Sequence, residues 1–196
     1  MKGIKVLGLD LDGTLVNMKL DFSRIRKELG VPIGTDTLAY ISSLPRNEGD
    51  RLREILYDRE REAAENAEIA YGSAELLEYC RKENIKVVII TRNSQDSTEK
   101  TLKKLEIKVD MIVSREHAEP KPSPDPIHMV LKYFEAEGHE MILVGDYIYD
   151  IQAGIAAGIK TVLITSHDQA GDWASSADYV VNDLSEVLDL LKGKRI

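Results

Sequence analysis

The sequence predicts an α/β fold: a doubly wound, mostly parallel sheet that carries one helical insertion. Three observations point to it. Six short apolar runs are β-branched and nearly continuous, as expected of strands covered on both faces. Helix-like segments alternate with most of these runs. One stretch, residues 16–72, breaks the alternation and contains no convincing strand.

The first strand is expected over residues 4–10. The insertion follows, with helices over 21–29, 35–42 and 48–70. The last of these is long and charged, with Leu52, Ile55, Leu56, Ala63 and Ala67 near one face. A helix over 73–82 has Ser73 as its candidate cap and Leu76, Leu77 and Cys80 at helical spacing. A strand over 87–91 leads into a helix over 94–105, with Leu102 and Leu105 on one side. A strand at 111–114 precedes a helix over 124–135. There Pro124 follows Ser123, as proline does in a first helical turn, and Ile127, Val130, Leu131 and Phe134 form a stripe. A strand at 142–146 leads to a helix over 148–157 that stops at Gly158. Strands at 161–165 and 179–181 and a helix over 184–191 follow. The expected organisation is an α/β core of residues 1–15 and 73–196 with a helical domain at 16–72.

With 196 residues the chain can bury one sizeable core, or a core plus a small insertion. Its 43% apolar and 31% charged residues suit a soluble globular protein. A net charge of −8 disfavours nucleic acid and anionic membrane as partners. No stretch approaches the ~20 apolar residues of a membrane span, and the N-terminal residues lack the apolar run of a signal peptide. The expected location is the cytoplasm. Cys80 is the single cysteine, so no intrachain disulfide forms, and it is expected to be buried as a small hydrophobe.

Four places carry the chemistry. In Asp10-Leu11-Asp12-Gly13-Thr14, the first aspartate ends an apolar strand, where open α/β sheets gather their ligands. Two carboxylates at i and i+2 crowd one point if the chain curls, and that needs a cation or a shared proton. A hard divalent cation such as Mg²⁺ suits oxygen ligands of this kind. Asp-Gly is also an ordinary turn pair. Thr91-Arg92-Asn93 follows another strand and offers a hydroxyl and free N–H groups at a helix start, which makes an anion site or a plain capped connection. Lys121 stands between Pro120 and Pro122, which restrict its backbone. Its ammonium can neutralise a carboxylate and a phosphate, or lie exposed in a loop. Asp146 ends a further strand, and Asp150 lies four residues on, where the helix dipole also favours an acid. On a surface this acidic, any phosphate site needs local positive charge or a metal.

With these residues in place, the sequence resembles the haloacid dehalogenase-like superfamily, in motifs Asp10/Asp12, Thr91, Lys121 and Asp146/Asp150. The resemblance covers roughly 1–15 and 73–196. The inserted region resembles the helical cap of the phosphoglycolate phosphatase-like branch. The resemblance implies a phosphatase in which Asp10 is the nucleophile and Asp12 the general acid and base. It implies Mg²⁺ held by the Asp10 carboxylate, the Asp12 backbone carbonyl and Asp146. Asp150 would support the metal through water or steady Lys121. Thr91, the Arg92 N–H and Lys121 would bind the phosphoryl oxygens of a small phosphorylated substrate. Relatives that act as dehalogenases or phosphonatases lack an acid at the position of Asp12, so Asp12 points to a phosphate ester. A phosphomutase of the same superfamily is the nearest alternative. A phosphorylation-switched receiver domain or a non-catalytic binding protein is the alternative of another class. A receiver, though, is shorter and carries its phosphorylated aspartate on a later strand.

The remaining candidates read as structural. His117, His128, His139 and His167 show no metal-ligand spacing. Trp173 is expected to anchor packing. In the insertion, Arg46, Arg51 and Arg53 are the cations that could meet a substrate, although each also suits a solvated helix face. The substrate and the oligomeric state are not legible. The cap is expected to open and close over the site.

Overall fold

The computed structural model describes residues 3–165 and 170–194. The chain begins with β1 (Val6–Leu9) and β2 (Val16–Asn17), then α1 (Phe22–Glu28), α2 (Thr37–Ser43) and α3 (Arg46–Glu65). It continues through β3 (Glu68–Ile69), α4 (Ser73–Lys82), β4 (Lys86–Ile90), α5 (Gln95–Lys104) and β5 (Met111–Val113). Then come α6 (Asp125–Tyr133), β6 (Met141–Gly145), α7 (Ile148–Ala157), β7 (Lys160–Ile164), α8 (Ala170–Trp173), β8 (Tyr179–Val181) and α9 (Leu184–Leu191).

Six strands form one parallel sheet in the order β5-β4-β1-β6-β7-β8. Winding runs outward from β1 to β5, then returns past β1 to build the other half. The reversal sets the carboxyl end of β1 at the switch point, where such sheets bind ligands. Side chains alternate between two faces. Leu7 and Leu9 enter one cluster with Leu76 and Cys80 of α4, Leu102 of α5 and Leu184 of α9. Val6 enters the other with Ile127 and Val130 of α6 and Ala153 of α7. Both faces are covered, which is why the strands read as continuous apolar runs.

The expected α/β core is therefore present, and α7 ends where expected because Gly158 takes the left-handed conformation (φ 70). Several details differ. Val16–Asn17 and Glu68–Ile69 form an antiparallel pair that closes the base of the helical segment. Two-residue strands are too short to show a period. The long helix begins earlier, after Pro45, and ends at Glu65, because the chain must turn to make β3. Ser73 is not a cap. Gly72 holds that position with φ +82, where an added Cβ would overlap the backbone at Ser185. The Ser73 hydroxyl instead donates to the Leu15 carbonyl at 3.0 Å. Helix α6 starts at Asp125, whose N–H donates to Ser123 Oγ at 3.2 Å.

The helical segment has two characters. Ile25, Leu29, Val31, Ile41, Leu52 and Leu56 enclose a small apolar cluster of their own. Ala63 and Ala64, near the end of α3, join the main core instead. Among the described residues, no helix is long and apolar enough to cross a membrane. Cys80 is fully buried, and burial pushes its thiol up to about 12.

Candidate active site

Asp10 immediately follows β1, and its N–H donates to the Val144 carbonyl at 2.9 Å. The chain then curls tightly: the N–H groups of Leu15 and Val16 both donate to the Leu11 carbonyl at 3.0 Å. Gly13 has φ +79, and a Cβ there would overlap the Asp146 carboxylate. Glycine thus lets the first loop approach the acid that follows β6.

Lys121 is 2% exposed, yet its side chain is fully engaged. Its Nζ donates to Asp10 Oδ1 at 2.7 Å, Asp150 Oδ1 at 2.5 Å and the Ile90 carbonyl at 2.5 Å. Burial opposes its charge, but Asp10 and Asp150 outweigh that and hold the ammonium above its ordinary range. The Lys121–Pro122 peptide is cis. Asp150 is fixed from the other side by the Tyr147 N–H, which donates to Oδ2 at 3.2 Å. Burial pushes Asp150 up to about 6, with Lys121 opposing.

Asp10, Asp146 and Asp150 each offer an oxygen within 4.8 Å of the others. Burial, then the charges of Asp10, Asp150 and Asp12, push Asp146 up to about 8. One lysine does not balance these acids. The donors are all oxygens, and the surplus is negative, so the residues fit a hard divalent cation. The Asp12 carboxylate is outside this group of three. Its Oδ1 accepts the Met18 N–H at 2.7 Å, and burial, with the Asp10 charge adding to it, pushes the carboxyl up to about 6.

Thr91 and Arg92 follow β4, the strand beside β1. Thr91 is buried and its Oγ1 accepts the Asn93 N–H at 3.0 Å. The Arg92 guanidinium has partners other than the three clustered acids. It donates to the Lys121 carbonyl and pairs with Asp36 at 2.5 Å, and it lies 4.5 Å over the Tyr149 ring. Burial opposes the Asp36 charge, but the Ala39 N–H and Arg92 hold that carboxyl below its usual range.

The fold thus brings Asp10, Lys121, Asp146 and Asp150 into one cluster, with Asp12 beside it and Thr91 and Arg92 on the neighbouring strand end. Two of the three suggested cations of the insertion are engaged with another side chain: Arg46 and Arg53 turn to Asp50 at 3.8 and 2.5 Å, and the third, Arg51, is exposed. His117 Nδ1 meets the Ser114 N–H at 3.1 Å, while His128 and His139 are exposed. His167 lies outside the described residues. Trp173 packs edge-on to Tyr147 at 4.8 Å, beside Ile151 and Leu163. Sequence reasoning missed Asp36, Tyr149, Glu60 and Arg115. Glu60 left a trace: it is the one acid at four-residue spacing between Leu56 and Ala64, on the apolar face of α3.

A family model described as haloacid dehalogenase-like hydrolase matches residues 9–164. A haloacid dehalogenase-like hydrolase domain-containing protein of Arabidopsis thaliana is 30% identical, over 93% of this chain and 82% of that one. Pyrophosphatase PpaX of Bacillus mycoides is 31% identical over 144 residues, 71% of this chain and 66% of that one. Among solved structures, a hydrolase from Pseudomonas syringae superposes with a TM-score of 0.80 at 24% identity, covering 97% of this chain and 99% of that one.

Proposed function

The chain belongs to the haloacid dehalogenase-like hydrolases, and from that premise we propose that it is a Mg²⁺-dependent phosphatase of small phosphorylated metabolites. Membership of a hydrolase family replaces the receiver or binding-protein alternative. The phosphatase activity is in keeping with the printed name of the PpaX relative.

The observation that carries the mechanism is the buried Lys121 ammonium, bonded to both Asp10 and Asp150 at the switch point. It orients Asp10 and leaves positive charge where phosphoryl oxygens would gather. Asp10 attacks phosphorus in line. A carboxylate oxygen bonds to phosphorus as the ester oxygen leaves, giving an aspartyl-phosphate. Asp12 protonates that leaving oxygen, then takes a proton from the water that hydrolyses the aspartyl-phosphate. The Met18 N–H fixes the Asp12 carboxyl, and its burial favours the protonated form that an acid needs. Thr91, the Arg92 N–H and Lys121 bind the phosphoryl oxygens. Asp10, the Asp12 carbonyl and Asp146 would hold Mg²⁺, which supplies charge neutralisation at the phosphoryl group. Asp150 acts mainly on Lys121.

The leaving group would enter a cavity of about 710 Å³ lined by Ser23, Arg26, Lys27, Asp36, Tyr147 and Tyr149. Tyr147 adjoins Asp146 in sequence, and Asp36 pairs with Arg92, so the cavity lies next to the transfer site. Helix α1 and the loop through residues 31–36 supply one wall, as part of the cap.

The test is phosphate release from a metabolite panel, with and without Mg²⁺, by wild type and Asp10→Asn. Metal-dependent release that the substitution abolishes is expected. Full activity in Asp10→Asn, or in EDTA, rejects the mechanism.

A further inference from the structure

Helix α3 buries a carboxylate on its apolar face. Glu60 is 4% exposed, and its partner is Arg115, just after β5. The pair is two-pronged: Arg115 Nη1 meets Glu60 Oε1, and Nη2 meets Oε2 at 3.0 Å. Taking two charges out of water rarely adds net stability, and a pair of apolar side chains would dock a helix as well. What the ions add here is a set of bonds to one short loop.

That loop is the segment after Thr91. Arg115 Nη1 donates to the Arg92 carbonyl at 3.0 Å, and the Arg115 N–H donates to the Asn93 carbonyl at 3.4 Å. Glu60 Oε2 accepts the Ser94 N–H at 3.3 Å. Next in line, Glu116 Oε2 accepts the Gln95 N–H at 3.0 Å, while its Oε1 accepts the hydroxyl of Tyr57, which is also on α3. Four consecutive residues thus have backbone groups tied to α3 or to the turn after β5. Tyr57 also lies under the Arg115 guanidinium at 4.8 Å, and the Ser97 hydroxyl donates to the Glu60 carbonyl at 2.9 Å. Neither Glu60 nor Arg115 contacts Asp10, Lys121 or Asp146 in any of these bonds.

We propose that Glu60 and Arg115 are positioning residues for the phosphate-binding loop, and that through them helix α3 sets the geometry of phosphoryl transfer. The inference rests on the phosphatase reading above. It assigns to the helical segment a role at the transferred group itself, separate from any contact with the leaving group. A loop displaced by a fraction of an ångström still binds, but it no longer aims its donors at the charge that develops.

The experiment uses the full chain with Mg²⁺ and an activated aryl phosphate. Wild type, E60Q, R115K and the apolar double variant E60L/R115M are compared for kcat, KM, inhibition by inorganic phosphate and thermal midpoint. In the double variant, the midpoint is expected to return to near wild type while kcat stays about 10- to 100-fold down. Inorganic phosphate should inhibit it more weakly. R115K keeps the charge but loses the fork, and should also lose kcat more than KM. A double variant as active as wild type would reduce the pair to a packing contact and overturn the inference alone. A wild type that releases no phosphate from any ester overturns the phosphatase reading and this inference with it.

Discussion

At the C-terminal end of α3, Ala63 and Ala64 join the main core, and a buried ion pair, Glu60–Arg115, reaches the loop after β4. Two outer pairs, Arg61–Asp96 at 2.6 Å and Lys100–Glu65 at 2.7 Å, run along the same seam between α3 and α5. The other end of the segment, α1, α2 and the first turns of α3, is built differently. It has its own small cluster, and its polar tie to the site is Asp36–Arg92, with side chains 27% and 23% exposed. A pair that water still reaches contributes less than a buried one and is screened by salt. One helix therefore belongs to the core body at one end and to a separable lobe at the other. We propose, on this comparison, that closure over the site would move α1 and α2 and leave the end of α3 in place.

The strongest way to break the comparison is to remove Arg115. Arg115→Met leaves Glu60 buried without its partner and should lower the unfolding free energy by about 3–5 kcal/mol in urea titrations. Asp36→Asn should lower it by only about 0–1 kcal/mol. Equal losses would mean that the two ties are alike. Next in size is Ile41→Ala, in the distal cluster. It should cost about 2–5 kcal/mol locally, read as faster amide exchange in α1 and α2, with the protection of β1 and β6 unchanged. Uniform loss of protection would show one cooperative unit in place of two. Gly72→Ala tests the point where the segment re-enters the core. The left-handed backbone alone costs about 1–2 kcal/mol, and the Ser185 backbone adds to it, so the thermal midpoint should fall.

The smallest stability effect, Asp36→Asn, has its own signature. Proteolysis within residues 30–44 should quicken while the core transition stays fixed. Acid should mimic it. The Asp36 carboxyl is held below its usual range, so its contribution is complete at neutral pH and is lost as pH falls through that lowered value. An opening of the lobe on raising the pH would contradict this sign.

The contrast also explains what could be read from the sequence. Strands β1, β4 and β6 announce themselves because both faces are buried, which demands near-continuous apolar runs. Asp10 and Asp146 stand out because an acid at the end of such a run has no packing reason to be there. Lys121 carried a weaker signal, since prolines restrict a backbone without saying what the side chain meets. The Arg92 side chain pairs with Asp36, 56 positions away, and Arg115 pairs with Glu60, 55 positions away. No local period marks either partner. Ser73 shows the opposite failure: a good local cap signal was overridden by a bond to the Leu15 carbonyl.

By itself the sequence determined the mostly parallel sheet and the acids that end its strands, because hydrophobic periodicity and strand-end chemistry are local properties. Only the tertiary structure decided that Lys121 would be buried between Asp10 and Asp150, that Asp150 would join the carboxylate group, and that α3 would brace the loop after Thr91. Those arrangements depend on which distant segments meet. The free energy of burying a charge is set by the partner it finds there, and not by its neighbours along the chain.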